Sequence, residues 1–277
     1  FDELQSLLLG LQAEMEKDIS RETPLVDAFE GFEIPDSAAY SLFTDWLKEY
    51  PDRWPALAAR GVFFTHLGFE ARGKNWGIIT PREKIDGMKW FFELAKPDLE
   101  KAIELKPSCV PALRSLIAVE SALGDALGAI AQYGDKNPES YRLRAQAIHF
   151  LCPRWGGSYE AMAAYIGESQ RFTNANPRLL NLDGYGLFDK ADTLLRIKKY
   201  EEALGLIREA ISMSGNWLYP VLEGRILLAM KNPGQALASF DEAVKGRLNG
   251  ETISWRATAL MELERYEEAL ADLDRAR

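Results

Sequence analysis

His66 and Glu70 lie four residues apart, and His149 and Cys152 three apart, spacings that set each pair on one face of a helix. Imidazole, thiolate and carboxylate are the usual zinc ligands, so each pair is half of a metal site. Zinc needs three or four ligands, and neither pair has a third at a regular spacing. The chain holds only these two histidines, so no metal and no cofactor is expected, and both read as hydrogen-bonded packing residues. No H-E-x-x-H, P-loop, G-x-S-x-G or dinucleotide fingerprint occurs. These residues point away from an enzyme.

Two other stretches carry binding chemistry. C-P-R-W-G-G-S-Y-E, from Cys152 to Glu160, sets Arg154 beside Trp155, and E-A-R-G-K-N-W-G-I-I-T-P-R-E, from Glu70 to Glu83, carries Arg72, Lys74, Trp76 and Arg82. Arginine and tryptophan are enriched where proteins grip partners. A basic cluster in a chain of net charge −9 suits an acidic ligand or partner segment. If both stretches are enlarged turns on one edge, Arg154 and Trp155 face the 70–83 insert. The competing reading, and the preferred one, is packing. Trp155 then covers the end of its own helix pair, Arg154 meets a carboxylate, and Gly156 and Gly157 supply backbone angles that a side chain forbids.

The elements that position these residues show in a 33-residue period. Tyr200-Glu201-Glu202-Ala203-Leu204 returns as Tyr266-Glu267-Glu268-Ala269-Leu270, with Pro233-Gly234-Gln235-Ala236-Leu237 midway. Five columns keep that spacing over three units: Ala191, Gly224, Ala257; Leu194, Leu227, Leu260; Ala203, Ala236, Ala269; Ile207, Phe240, Leu273; and Ala210, Ala243, Ala276. Small residues let paired helices approach closely while larger ones fill the gap. The pattern resembles the tetratricopeptide (TPR) repeat, a helix-turn-helix of about 34 residues with small and aromatic residues in its second helix. Tyr200, Ala203, Phe240, Ala243, Tyr266, Ala269 and Ala276 carry the resemblance, whereas the tryptophan and tyrosine of the family's first helix are mostly missing. It implies an all-α, right-handed α-solenoid of TPR-like repeats. Counting along the first helices of such repeats places Tyr185, Asp189, Asp192, Arg196, Arg225, Trp255 and Glu262 along a groove suited to an extended or helical peptide. Asp192, Arg225 and Thr258 stand where relatives that clamp C-terminal carboxylates carry lysine and asparagine, which argues against chaperone-tail recognition.

The rest of the chain is less regular and still helical in pattern. An amphipathic helix starts at Phe1, a second segment spans Ser37 to Glu49, and Trp54 to Phe69 begins a pair that ends near Pro107. Further pairs are Ser108–Leu123 with Asp125–Tyr133, and Glu139–Leu151 with Tyr159–Phe172. Residues 40 to 170, above all P-R-W-G-G-S, resemble a bacterial family of helical-repeat proteins known only as a domain of unknown function. That likeness implies a fold and a bacterial source, and no activity.

The expected organisation is residues 1–53 as N-terminal helices, 54–180 as irregular helix pairs and 181–277 as three regular repeats, in one continuous domain. An apolar content of 47% supports a continuous core. The acidic balance argues against nucleic-acid binding, and no run reaches the ~18 apolar residues of a transmembrane helix. Cys109 and Cys152 read as two ordinary thiols, with a single bridge as the alternative. Phe1 replaces an initiator methionine, which reads as loss of residues upstream and leaves cytoplasm, slightly preferred, or periplasm open. The last helix has no capping helix behind it, so the expectation is either that more protein follows or that this face packs against a partner or, by self-association, a second copy of the chain. The functional expectation is a non-enzymatic bacterial protein-interaction scaffold. Two alternatives stand beside it: an immunity or adaptor protein of a toxin or secretion system, and a small-ligand sensor or enzyme with its site between the two inserts.

Overall fold

The computed structural model describes residues 1–36, 39–73 and 79–276, with the backbone alone at 276. The chain is 80% helix, with no strand among the described residues. It divides into two compact units, Phe1–Leu179 and Leu180–Arg277.

The first unit holds α1 (Asp2–Lys17), α2 (Glu22–Glu30), α3 (Tyr40–Glu49), α4 (Trp54–Arg72) and α5 (Arg82–Leu105), followed by α6 (Val110–Ala122), α7 (Ala126–Tyr133), α8 (Tyr141–Phe150) and α9 (Tyr159–Ser169). Local chemistry sets their starts. Pro55 and Pro111 open α4 and α6, where a missing N–H costs nothing. The side chains of Asp125, Ser140 and Ser158 accept backbone N–H bonds at the starts of α7, α8 and α9. An aromatic web joins α2, α3 and α4: Phe29 lies against Phe32 and Trp54, Phe32 against Phe43 and Trp46, and Phe43 against Phe63.

Two features depart from the sequence reading. No helix is expected at 22–30, yet α2 forms there and buries Leu25, Val26 and Phe29. The 70–83 insert is shorter than expected, because Arg72 completes α4 and Arg82 opens α5. Helix α5 also runs through Pro97 without ending, so one backbone acceptor in it lacks its N–H partner.

The second unit contains α10 (Tyr185–Arg196), α11 (Tyr200–Met213), α12 (Leu218–Ala229), α13 (Pro233–Gly246), α14 (Gly250–Glu262) and α15 (Tyr266–Ala276), each packed on the next. The periodic columns face inward: Ala191, Ala203, Ile207, Ala210, Ala236, Phe240, Ala243, Ala257 and Ala269 are all buried. Leu194 is partly buried, Leu273 is 39% exposed, and the side chain of Ala276 lies outside the described residues.

The period is also written in the backbone. Lys198, Lys231 and Glu264, each 33 residues after the last, all take a left-handed conformation with φ of 63°, 61° and 60°. At each one the next N–H reaches back across the helix end: Lys199 to Leu194, Asn232 to Leu227 and Arg265 to Leu260, at 2.9 Å each. This is a Schellman turn, which satisfies the last carbonyls of a helix and fixes the exit direction of the chain.

A cross-helix contact also recurs where a first helix meets its second. The Glu223-Gly224 step of α12 meets Ser239-Phe240 of α13. Ser239 donates to Glu223 at 2.9 Å, and a Cβ on Gly224 would stand 2.5 Å from the Phe240 ring. In the α14/α15 pair, Arg256 makes a two-bond fork to Asp272 at 2.7 and 3.0 Å, with Ala257 next to it. The same contact reappears in the first unit. Arg60 forks to Asp98 at 2.6 and 2.9 Å, and a Cβ on Gly61 would stand 2.5 Å from Leu99. The fork joins residues 16 apart in α14/α15 and 38 apart in α4/α5, so α4/α5 is the same kind of pair with a longer excursion inside it.

Candidate functional site

The two arginine–tryptophan inserts meet. The guanidinium of Arg72, at the end of α4, lies over the Trp155 ring at 5.2 Å from its centroid, within the range of a cation–π contact. Burial lowers the pKa of Arg72. Phe69, His149 and Phe150 surround the rest of the indole, with Phe150 nearest at 4.9 Å between centroids. The Trp155 Nε1–H is buried without an acceptor. Arg154 and Arg82 stand apart from this stack. Arg154 is exposed and donates from Nε to Cys152 Sγ at 3.2 Å, and Arg82 is exposed beside Asp86. Lys74 and Trp76 lie outside the described residues.

The loop that carries Trp155 is a short 3-10 turn, Pro153–Trp155, closed by Gly156 at φ 89°. The paired glycines serve different ends. Gly156 supplies the left-handed angle, whereas Gly157 supplies room, since a Cβ there would stand 2.0 Å from the Leu151 carbonyl oxygen. The expectation that both supply backbone angles is corrected on that point.

On the second unit the groove residues form a ladder over successive first helices. Arg196 donates to Asp192 at 2.7 Å, Arg225 of α12 approaches the other oxygen of Asp192 at 3.6 Å, and the Arg225 guanidinium lies 5.4 Å from the Trp255 ring of α14. Glu262 sits beside Lys231 at 3.9 Å. Tyr185 and Asp189 are buried, at 7% and 3% exposure, and are not on an open face. Leu270 of α15 is 61% exposed.

A third place has no counterpart in the sequence reading. Helices α2, α4, α6 and α8 enclose a cavity of about 140 Å³, open on one side. Its polar lining includes Glu30, Glu33, Thr65, His66, Arg114, Ser115 and Gln146, and its apolar lining includes Val26, Phe29, Val62 and Phe69. Glu30 bridges two arginines: Arg114 Nη1 at 3.2 Å and Arg142 Nη2 in a still closer contact. Arg142 also lies 3.5 Å from Asp27, and Arg114 Nη2 reaches Gln146. In this neighbourhood Arg114 Nε, Arg142 Nε and His66 Nε2 are buried without a partner among the described residues. Glu33 approaches His66 Nδ1 at 3.9 Å. Burial raises the Glu33 pKa and lowers that of His66. No periodic signal links these residues, because they come from four helices spread over more than a hundred positions.

Cys109 and Cys152 are buried thiols that form no disulfide, and burial pushes the Cys109 thiol up to about 12. Among the described residues no group of three or more His, Cys, Asp or Glu side chains is placed to hold a metal ion. No helix among them is long and apolar enough to cross a membrane. No protein-family model matches the chain, and none of the curated proteins matches it either.

Proposed function

We propose that this chain is a non-enzymatic interaction scaffold of bacterial origin whose second unit is a right-handed solenoid of TPR-like repeats. It binds an extended peptide along its first helices, α10, α12 and α14. The observation that carries this reading is the contact between Asp192 and Arg225, which occupy the same position in consecutive repeats. Equivalent side chains stacked in this way form a continuous surface, as expected of a solenoid's recognition face. Arg196 and Arg225 share Asp192, so neither charge is fully matched. The half-buried indole of Trp255 continues the ladder. The matching ligand is a peptide with an acidic side chain against the two arginines and an apolar one against Trp255.

Selection of peptides from a random display library tests this. The enriched peptides should carry an acidic residue followed by an apolar one. Their affinity should fall about tenfold or more in Arg225→Glu and in Trp255→Ala, and stay unchanged in Glu209→Ala on the exposed face of α11. Peptides insensitive to both groove variants would refute the reading.

A further inference from the structure

The cavity of the first unit has features that peptide binding on the second unit does not use. Its guanidinium at Arg114 has both terminal nitrogens engaged, on Glu30 and Gln146, while Nε is buried without an acceptor. Buried polar atoms are nearly always paired, and leaving one unpaired is costly. His66 also lines the cavity, and its Nε2 is buried without a partner among the described residues. Glu33 supplies the opposite polarity. Among the described residues its one ion pair within 4 Å is with His66, at the long distance of 3.9 Å, while Arg114 and Arg142 bind Glu30 and Asp27 and reach Glu33 only through longer-range attraction. The cavity lining therefore combines a donor without an acceptor and a carboxylate without a hydrogen-bonded cation.

We propose that this cavity binds a small zwitterion of α-amino-acid type, its carboxylate received by Arg114 Nε and its ammonium by Glu33. A lone anion would answer Arg114 and add charge beside Glu30 and Glu33. A lone cation would leave the arginine nitrogen bare. A dipolar ligand completes both ends and leaves the net charge unchanged. Size supports this choice, since a cavity of about 150 Å³ admits a molecule of benzene's dimensions and this one measures about 140 Å³. Val26, Phe29 and Val62 offer an apolar wall for a short side chain. The shifts toward neutrality at Glu33 and His66 agree with a site from which water is partly excluded.

The chain has only two histidines, so imidazole NMR reads the site directly, with His149→Asn assigning the His66 signals. The full chain is titrated with glycine, alanine and serine, and separately with acetate and ethylammonium. At least one amino acid should shift the His66 nitrogens saturably, with both half-ligands about tenfold weaker or worse. Glu33→Gln, an isosteric change at a half-exposed side chain, should weaken that binding by a similar factor and leave the His149 signals in place. Arg114→Lys should weaken it too, and if that variant fails to fold, Glu33→Gln still decides. No saturable shift with any of the three amino acids overturns the proposal, as does acetate binding equally well or binding unaffected by Glu33→Gln.

Discussion

Helix pair α4/α5 in the first unit and pairs α12/α13 and α14/α15 in the second rest on the same kind of cross-helix contact, yet only the second unit repeats it at fixed spacing. In all three a polar bond ties the first helix to the second, and in α4/α5 and α12/α13 a glycine of the first helix receives a large residue of the second beside it. What differs is the chain between the two contacts, and what surrounds the pair. The second unit returns through identical Schellman turns. The first unit adds an aromatic web and a buried charge bridge, neither of which has a periodic copy. A repeat is thus defined by how its helices cross, and the turn length is free to vary.

Four experiments bear on that contrast. The largest effect is expected where the first unit depends on a contact that occurs once. Glu30→Leu takes from Arg114 and Arg142 the carboxylate they share and leaves Asp27 beside Arg142; breaking a fully buried pair costs about 3 to 5 kcal/mol, and with Glu30 30% exposed a loss of about 2 to 3 kcal/mol is expected. Urea unfolding should show that loss in the first unit. A cost below about 1 kcal/mol would mean that the bridge behaves like a surface pair. Gly224→Val comes next, because its Cβ meets the Phe240 ring at 2.5 Å, and overpacking of this kind costs about 1 to 3 kcal/mol. Phe240→Leu in the same chain should recover part of the loss. Strict additivity of the two would show that the crossing contact does not define the repeat.

Lys231→Gly should act in the opposite direction. A left-handed non-glycine residue carries about 1 to 2 kcal/mol of strain, partly offset by the greater freedom of glycine in the unfolded chain. A net gain of about 0.5 to 1 kcal/mol is expected in the denaturation midpoint, with Lys198→Gly giving the same within error if the turns are equivalent. The smallest effect concerns His66. Burial holds its folded pKa below the ordinary 6.5, so the unfolded chain takes up the proton first. Its contribution to stability is therefore present above pH 6.5 and lost as pH falls through the folded value. His66→Gln should flatten the melting temperature between pH 6.5 and 5 relative to the parent chain. An unchanged slope would place that titration elsewhere.

The difference between the units also explains what could be read from the sequence. Columns such as Ala203, Ala236 and Ala269 were visible because a constant spacing converts three-dimensional packing into a one-dimensional period. The start of α9 at Tyr159 was legible from local chemistry, since Ser158 is a helix cap and the glycines before it break the preceding helix. The pair that runs from Trp54 to near Pro107 was legible as a helix pair, but the fork that ties it, from Arg60 to Asp98, spans 38 positions that no window of repeat length covers. Helix α2 carries Leu25, Val26 and Phe29 at helical spacing, a signal present but short and interrupted by Pro24. The first-unit cavity left no trace, because Glu33, His66, Arg114 and Gln146 become neighbours only when four helices pack. The meeting of Arg72 with Trp155 is intermediate: residue types suggested it, and only the fold supplies the 5.2 Å stack.

The tight crossing at Gly224 also limits how the array can change in length. Excising residues 199–231 would carry Lys198 straight into Asn232, as Lys231 is now, and Asn232 would still cap α13. The turn would be indifferent to the edit. The helix crossing would register it, because Ala191 would bring its methyl group to the place where a Cβ stands 2.5 Å from the Phe240 ring. Duplication or loss of a repeat is therefore silent at the turns and selected at the crossings, where the small and large partners must be inherited together.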